Sequence, residues 1–175
     1  HLENISGNLF AGAVNAFTGA VGEGLDRSDY QVRPYPEIAK NYKKMQLQWC
    51  AIGDQNYGEG SSREHAAMEP RYRGACVIFA RSFARIHETN LKKQGIVPLT
   101  FVNPDDYDKI DEKDTISVRG MPPEPDKPVR CIIHKKGEIE IEFFANHTFS
   151  PEQVKWFKAG SALNVVREKV KRSKK

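Results

Sequence analysis

A fifteen-residue stretch, GDQNYGEGSSREHAA at positions 53–67, constrains the fold of this 175-residue chain more than any other part of the sequence. Three glycines fall within its first eight residues, so the stretch begins as a loop rather than as a regular element. The apolar run before it, residues 47–52, has the length and composition of a buried strand. Residues 61–69 predict a helix, with Ser61 as N-cap and Glu64 completing a capping box. We therefore expect a strand, a glycine loop and a capped helix in succession.

The predicted junction of loop and helix has the chemistry of an anion site. A helix N-terminus offers unpaired backbone N–H groups and the positive end of the helix dipole, and glycines let a ligand approach the backbone. Arg63 adds a planar fork that fits a carboxylate or phosphate, and Ser61 and Ser62 add two hydroxyls. Helix capping and a solvated arginine would account for the same residues. Local chemistry alone therefore leaves a functional site and a structural cap as alternatives.

The rest of the sequence predicts further α/β structure. Residues 26–35 are polar, contain Arg33-Pro34 and predict a turn or linker. Pro98 predicts that the strand at 96–102 lies at a sheet edge or that the proline lies at a strand end. The other expected elements are helices at 36–45, 82–93, 151–159 (capped by Ser150) and from 161 onward, strands at 75–80 and 115–119, and a β-hairpin of 129–134 and 138–144.

The stretch at 53–67 closely resembles the signature of the C-terminal, swivelling domain of aconitases. Other segments resemble that domain in the same order, so the resemblance covers essentially the whole chain: HLENIS (1–6), SFARIHETNLKKQG (82–95), PLTF (98–101), DYDKI (106–110), NHTF (146–149) and WFKAGSALN (156–164). The resemblance implies an α/β fold, the swivelling β/β/α domain of the aconitase type. We expect buried, mostly parallel strands plus an antiparallel hairpin.

The resemblance also implies a function. Aconitases are lyases of the tricarboxylic acid cycle that interconvert citrate and isocitrate through cis-aconitate by removing and re-adding water. Their 4Fe-4S cluster is held by three cysteines of other domains. By position in Gly-Ser-Ser-Arg, Ser61 matches the serine that takes the substrate proton, and Ser62 and Arg63 match residues that hold a substrate carboxylate. Dehydration needs a proton acceptor and a Lewis acid. This chain is expected to supply only the first, so we expect the isolated 175 residues to be inactive.

Five other polar residues are expected to support the site rather than to catalyse. Asp54 and Glu59 border the glycine loop and could orient it, and His65 lies in the first turn of the predicted helix. Arg85 and His87 belong to the segment at 82–95 that resembles the family, and they could pack and hydrogen-bond against the loop.

The sequence predicts no metal ligand in this chain. His134 and His147 have no partner at metal-ligand spacing, and both are interpreted as structural. Cys50, Cys76 and Cys131 are odd in number and widely spaced, which favours neither a disulfide framework nor a zinc site. We expect them to be small buried side chains in a reducing compartment.

The net charge of +4 is concentrated in a short tail. Residues 167–175 carry six basic residues and one Glu, a net of +5, so the other 166 residues carry about −1. We therefore predict one domain at 1–166 and a basic tail at 167–175. A nucleic-acid partner is not expected, and the tail is the only feature that would support one. No segment approaches the length of a membrane span.

Two classes of function remain open from sequence. In the first, the chain is part of a working hydro-lyase, an aconitase or a homoaconitase-like enzyme, with the cluster-bearing domains and a tricarboxylate as its partners. In the second, it is an aconitase-derived structural or binding module, associated with nucleic acid or a large assembly. An intact Ser61-Ser62-Arg63 favours the first, while Gln55 and residues 72–76 depart from the usual pattern. Since the chain opens on His1, we expect a longer polypeptide. The resemblance implies the mitochondrial matrix, with the cytoplasm as the alternative.

Overall fold

The computed structural model describes residues 10, 13–58, 70 and 74–160. The elements within these residues follow one another in an α/β order. Along the chain they are β1 (Glu23–Asp26), β2 (Gln31–Pro34), α1 (Tyr35–Lys44), β3 (Trp49–Gly53), β4 (Ala75–Ala80), α2 (Arg85–Lys93), β5 (Val97–Phe101), a 3-10 helix (Pro104–Lys109), β6 (Thr115–Val118), β7 (Val129–Lys135), β8 (Ile139–Asn146) and α3 (Pro151–Ala159). No helix in this described part combines the length and apolar composition needed to cross a bilayer.

Six of these strands form one mixed sheet in the order β3-β4-β5-β8-β7-β6. Strands β3, β4 and β5 are parallel to one another, whereas β8, β7 and β6 continue the sheet with antiparallel pairing. The α/β fold class expected from the sequence is confirmed. The hairpin predicted at 129–134 and 138–144 is β7 and β8, in which Ile133 lies opposite Ile141.

The sheet is buried on both faces at its parallel end, which explains why β4 is an uninterrupted apolar run. On one face Val77 and Phe79 join a core with Leu99 and Phe143. On the other face Ile78 packs with Leu91 of α2 and with Ile96, and all three side chains are fully buried. A central strand covered on both faces is expected to be apolar throughout rather than alternating.

Helix α3 begins at the cap that the sequence predicts. The Ser150 hydroxyl accepts from the Gln153 backbone N–H, and the Gln153 side chain accepts from the Ser150 N–H, completing a capping box. The start of α3 is tied to α2 by Lys92, whose Nζ donates to Gln153 and to the carbonyl and hydroxyl of Thr148. Burial lowers the pKa of Lys92, and these three acceptors stabilise its charged form.

The prediction of a turn or linker at 26–35 holds only for residues 27–30, which form the turn of a β-hairpin. Strands β1 and β2 pair antiparallel, with Leu25 opposite Val32. The hairpin is organised around the buried carboxylate of Asp26 rather than around apolar side chains. This carboxylate accepts from Ser28, from Arg33 at 2.9 Å and from Asn41 of α1 at 2.9 Å. A polar network of this kind leaves no apolar alternation for a sequence pattern to detect.

Of the two positions expected for Pro98, the sheet edge is wrong and the strand end agrees with the structure, since Pro98 is the second residue of β5. Strand β5 lies between β4 and β8, and Pro98 is opposite Ile78 of β4. A proline is tolerated there because β8 pairs only with Thr100 and Phe101, the last two residues of β5. Two expected boundaries shift as well: the strand predicted from residue 47 begins at Trp49, and the helix predicted from residue 82 begins at Arg85.

The Asp26 network predicts a pH-dependent contribution to stability. Burial by itself would raise the pKa of Asp26, but hydrogen bonds from Asn41 and Ser28 and the charge of Arg33 hold it below its usual value. Since the folded-state pKa is the lower one, the stabilisation is complete above the unfolded value of about 3.9 and declines as the pH falls through the folded value. We expect Asp26→Asn to reduce the free energy of unfolding at pH 7 by about 1.5–3 kcal/mol, because an amide N–H₂ would face donors.

Urea unfolding at pH 7 and below about pH 4 measures this difference, which should shrink at the lower pH. Asp29→Asn is the matched control, since Asp29 also pairs with Arg33 but is exposed. Equal losses for the two variants would show that the buried network is not the source of the stability.

Candidate active site

The candidate site lies at the carboxyl ends of the three parallel strands β3, β4 and β5, and this side of the sheet is called its carboxyl edge. Because β3, β4 and β5 run in the same direction, Gly53, Ala80 and Phe101 end at the same edge. Ligands of open α/β sheets bind outside the carboxyl ends of parallel strands. The segments that leave this edge are the loop at 54–58, the loop at 81–84 and the 3-10 helix. We refer to the first as the glycine loop and to the second as the β4–α2 loop.

The glycine loop lies alongside the β4–α2 loop as a continuation of the sheet. Tyr57 and Phe83 form a parallel bridge, in which the Tyr57 N–H donates to the Ser82 carbonyl and the Ala84 N–H donates to the Tyr57 carbonyl, each at 2.9 Å. In addition, the Asn56 N–H donates to the Ser82 hydroxyl at 2.7 Å. The position of the glycine loop is therefore set by backbone pairing as well as by side chains.

Two glycines are required here for steric reasons. The ring of Tyr57 occupies the place that a Cβ at Gly53 would need. Gly58 has φ = +88°, and a Cβ there would collide with the ring of His87. His87 is only 3% exposed, and Tyr57 packs against it with ring centroids 5.5 Å apart. The glycine loop can therefore lie this close to α2 only because positions 53 and 58 carry no side chain.

Comparison with known protein families identifies the family of this domain. Residues 1–104, more than half of the chain, match the family model described as the aconitase C-terminal domain. The chain belongs to this family.

The domain is also similar to individual aconitases over nearly its whole length. It is 51% identical over 175 residues to the probable mitochondrial aconitate hydratase of Caenorhabditis elegans, and 51% identical over 176 residues to that of Dictyostelium discoideum. Each alignment covers 99% of this chain but only 22% and 23% of the relative, so the chain spans about a fifth of the proteins it matches.

A solved structure shares the fold of the domain at low sequence identity. The 3-isopropylmalate dehydratase of Methanocaldococcus jannaschii superposes with a TM-score of 0.51 and 20% identity, over 79% of this chain and 77% of that one. This likeness supports the aconitase-type architecture of the sheet and its helices.

Sequence reasoning overlooked Arg81, which follows β4 directly. Its guanidinium stacks on the Tyr107 ring, 4.1 Å from the centroid, and lies 3.5 Å from Asp54 and 3.6 Å from Asp108. Within the described residues its buried Nε has no hydrogen-bond partner. Such a group is unfavourable by about 1–3 kcal/mol. The only sequence signal was a charged residue at the end of a buried strand, at an edge where functional residues of this fold class are expected.

The structure describes three of the eight residues that the sequence singles out for the domain, and places two of them, Asp54 and His87, at the glycine loop. Asp54 begins the glycine loop, His87 packs against Gly58, and Arg85 is exposed in the first turn of α2. The other five lie outside the described residues: Ser61, Ser62, Arg63, Glu59 and His65. Their roles remain predictions. Asp54 and Asp108 are 63% and 73% exposed, so this part of the site is open to solvent.

The remaining histidines have structural partners, as interpreted from the sequence. His147 donates from Nε2 to the Glu124 carbonyl at 2.7 Å and accepts from the Phe149 N–H at Nδ1. His134 Nε2 lies 2.6 Å from the Ser117 hydroxyl, and its Nδ1 lies 3.5 Å from Glu140. Ser117, His134 and Glu140 are in contact in the order hydroxyl, imidazole, carboxylate, as in the catalytic triad of serine hydrolases. However, Glu140 is 63% exposed and too distant to orient the imidazole as a buried acid does.

The three cysteines are thiols, not disulfides. Burial raises the pKa of Cys50 and of Cys131 to about 12, so neither is poised to form the thiolate that metal ligation requires. Within the described part of the chain, no three His, Cys, Asp or Glu side chains are arranged to hold a metal ion.

The contact between Gly58 and His87 leads to a testable prediction. Gly58→Ala should destabilise the domain more than Gly137→Ala, because both glycines have positive φ but Gly137 has no atom within 4 Å of its added Cβ. Backbone strain should cost each variant about 1–2 kcal/mol, and the clash with His87 should add about 1–3 kcal/mol for Gly58→Ala. Urea unfolding measures both losses.

Adding His87→Ala to each glycine variant completes the comparison. This change should recover the extra loss of Gly58→Ala and leave that of Gly137→Ala unaffected. The steric explanation fails if the two glycine variants are equally destabilised.

Proposed function

We propose that this chain is the C-terminal domain of an aconitate hydratase, a hydro-lyase that interconverts citrate and isocitrate through cis-aconitate. The observation that carries the proposal is 51% identity across 99% of the chain with relatives named aconitate hydratase. Because the chain spans about a fifth of those relatives, the activity would belong to a longer protein. The isolated 175 residues are accordingly expected to be inactive.

In this proposal Ser61 accepts the substrate proton. A serine alkoxide is stable only where N–H donors and positive charge surround it, and a helix N-terminus beside an arginine provides both. The geometry of the described loop supports this assignment, since Gly58 is held against α2 at the carboxyl edge of the parallel strands and Ser61 follows three residues later. Ser62 and Arg63 would hold a substrate carboxylate through charge-assisted hydrogen bonds.

A 4Fe-4S cluster is proposed to be bound by other domains of the parent protein. Cys50 and Cys131 do not fit the group, because burial raises the pKa of both while cluster ligation requires thiolates, and the described residues contain no group of three His, Cys, Asp or Glu side chains that could hold a metal ion. When bound, the cluster would supply a Lewis acid for the leaving hydroxyl. The proposed partners of this chain are therefore those domains and a tricarboxylate.

A mitochondrial location is also proposed, because relatives from several eukaryotes are named mitochondrial aconitate hydratases.

Two variants of the full-length enzyme test the proposed roles. Ser61→Ala should abolish turnover and leave substrate binding nearly intact, since it removes a group needed only for proton transfer. Arg63→Lys should weaken binding as well, because a point charge replaces a fork that can grip a carboxylate through two bonds. One lost charge-assisted hydrogen bond corresponds to about 1.5–3 kcal/mol, or roughly ten- to a hundred-fold in affinity.

Steady-state kinetics of cis-aconitate hydration and direct measurement of citrate binding give the two quantities. Arg130→Lys serves as a matched control, because Arg130 pairs with Glu142 on the exposed surface of β7 and β8. Substantial activity in Ser61→Ala, or citrate binding at the parent level in Arg63→Lys, would mean that the loop is a structural cap.

A further inference from the structure

One arginine connects the three segments that leave the carboxyl edge of the parallel strands. Arg81 belongs to the β4–α2 loop, pairs with Asp54 of the glycine loop and with Asp108 of the 3-10 helix, and stacks on Tyr107. We propose that Arg81 is a positioning residue that holds the glycine loop beside the 3-10 helix, and that the activity of the parent enzyme depends on this position of the loop. This inference rests on the proposed function and adds to it a residue that acts through the loop.

At one end of the connection made by Arg81, the 3-10 helix is anchored to the hydrophobic core. Tyr107 packs edge-to-face on Phe101 of β5 with ring centroids 6.1 Å apart, and Phe101 belongs to the buried core. The helix is capped by the Asn103 side chain, which accepts from the Asp105 N–H at 3.1 Å. Arg81 therefore stacks on a ring that the core itself holds in place.

The other end of this connection is the glycine loop. Asp54 Oδ1 accepts from the Gln55 backbone N–H at 2.8 Å and also faces the Arg81 guanidinium. Through this shared oxygen, the arginine is linked to the loop backbone immediately after β3. The chain then runs past Asn56 and Tyr57, which are bonded to Ser82, and turns at Gly58. The loop is thus held on one side by Arg81 and on the other by the β4–α2 loop.

Stability does not explain why an arginine occupies position 81. Its two acidic partners are 63% and 73% exposed and lie at 3.5 and 3.6 Å, so these ion pairs are screened and weak. Its buried Nε is unpaired within the described residues, which is unfavourable. A planar guanidinium provides a flat surface for the Tyr107 ring, and its two terminal nitrogens reach acids of two different segments. The observed contacts therefore favour a role in geometry over one in stability.

The test uses the full-length enzyme with Arg81→Met, Asp54→Asn and the double variant. Arg81→Met keeps the apolar stem and removes the fork, so kcat/KM for cis-aconitate should fall about ten-fold or more, as expected when a reacting group is displaced by a fraction of an ångström to one ångström. Asp54→Asn should lower kcat/KM in the same way. The double variant should be no worse than the more impaired single variant, because both changes break one connection.

A role in positioning differs from direct substrate binding in this pattern. If Arg81 contacted the substrate itself, Asp54→Asn would not reproduce its loss, and the two effects would multiply in the double variant. Multiplying effects, or an unchanged kcat/KM in Arg81→Met, would overturn the inference. The exposed partner Asp54 is a surface acid, so Asp54→Asn keeps the test decisive even if Arg81→Met folds poorly.

Hydrogen exchange gives a readout that does not depend on activity. In Arg81→Met and Asp54→Asn, the amides of Gln55, Asn56 and Tyr57 should exchange faster than in the wild type, while those of β7 should not change. The control is Arg130→Met, which removes an exposed arginine of β7, a strand separated from β4 by β5 and β8, and should alter neither kcat/KM nor exchange at residues 55–57. Unchanged exchange in both site variants would overturn the inference. A wild type without aconitase activity would defeat the proposed function while leaving the exchange result able to decide on Arg81.

Discussion

The candidate site depends on the parallel register between β3 and β4. Gly53 lies opposite Ala80 at the end of the two strands, and the bridge between Tyr57 and Phe83 extends the pairing beyond them. A shift of one residue in a strand register moves every side chain to the opposite face. Such a shift would separate both Tyr57 and Gly58 from the ring of His87. The core strands thus determine where the glycine loop leaves the sheet.

Tyr57 links that loop to the core and also limits which groups can carry out the chemistry. Its ring packs with Phe83 against the cluster that contains Ile78 and Leu91. Burial raises the pKa of Tyr57, so the phenol stays neutral near pH 7 and is not available as a phenolate base. His87 is buried beneath the same loop, where its ring fills the space left by Gly58. Tyr57 and His87 therefore act as packing groups. This is consistent with a hydroxyl of the following GSSR segment as the proton acceptor.

The sequence predicted the class of the fold and most elements of the central sheet, because apolar runs and capping residues are local signals. The capped start of α3 at Ser150 and the hairpin of β7 and β8 are examples. The hairpin of β1 and β2 could not be predicted in this way, since it depends on Arg33 of the paired strand and Asn41 of α1 meeting the Asp26 carboxylate. The position of Pro98 likewise depends on how far β8 extends along β5, which is a property of the sheet and not of either strand.

The same distinction between local sequence signals and long-range contacts applies to the candidate site. The resemblance in sequence assigned roles to Ser61, Ser62 and Arg63 by motif, and it included Asp54 and His87 as supporting residues. Arg81 was missed because its partners come from two other segments, the glycine loop and the 3-10 helix, which are distant in sequence and meet it only where the parallel strands end.

The environment of Arg81 also separates its task from that of Arg63. A guanidinium stacked on Tyr107 and flanked by two carboxylates already has its charge opposed, so it would attract a further carboxylate only weakly. Arg63 is the only arginine in the stretch at 53–67, and it stands where a helix N-terminus is predicted. There the backbone N–H groups and the dipole would add to its attraction for an anion rather than oppose it. The two arginines therefore suit different proposed functions, with Arg81 holding the glycine loop in place and Arg63 binding a substrate carboxylate.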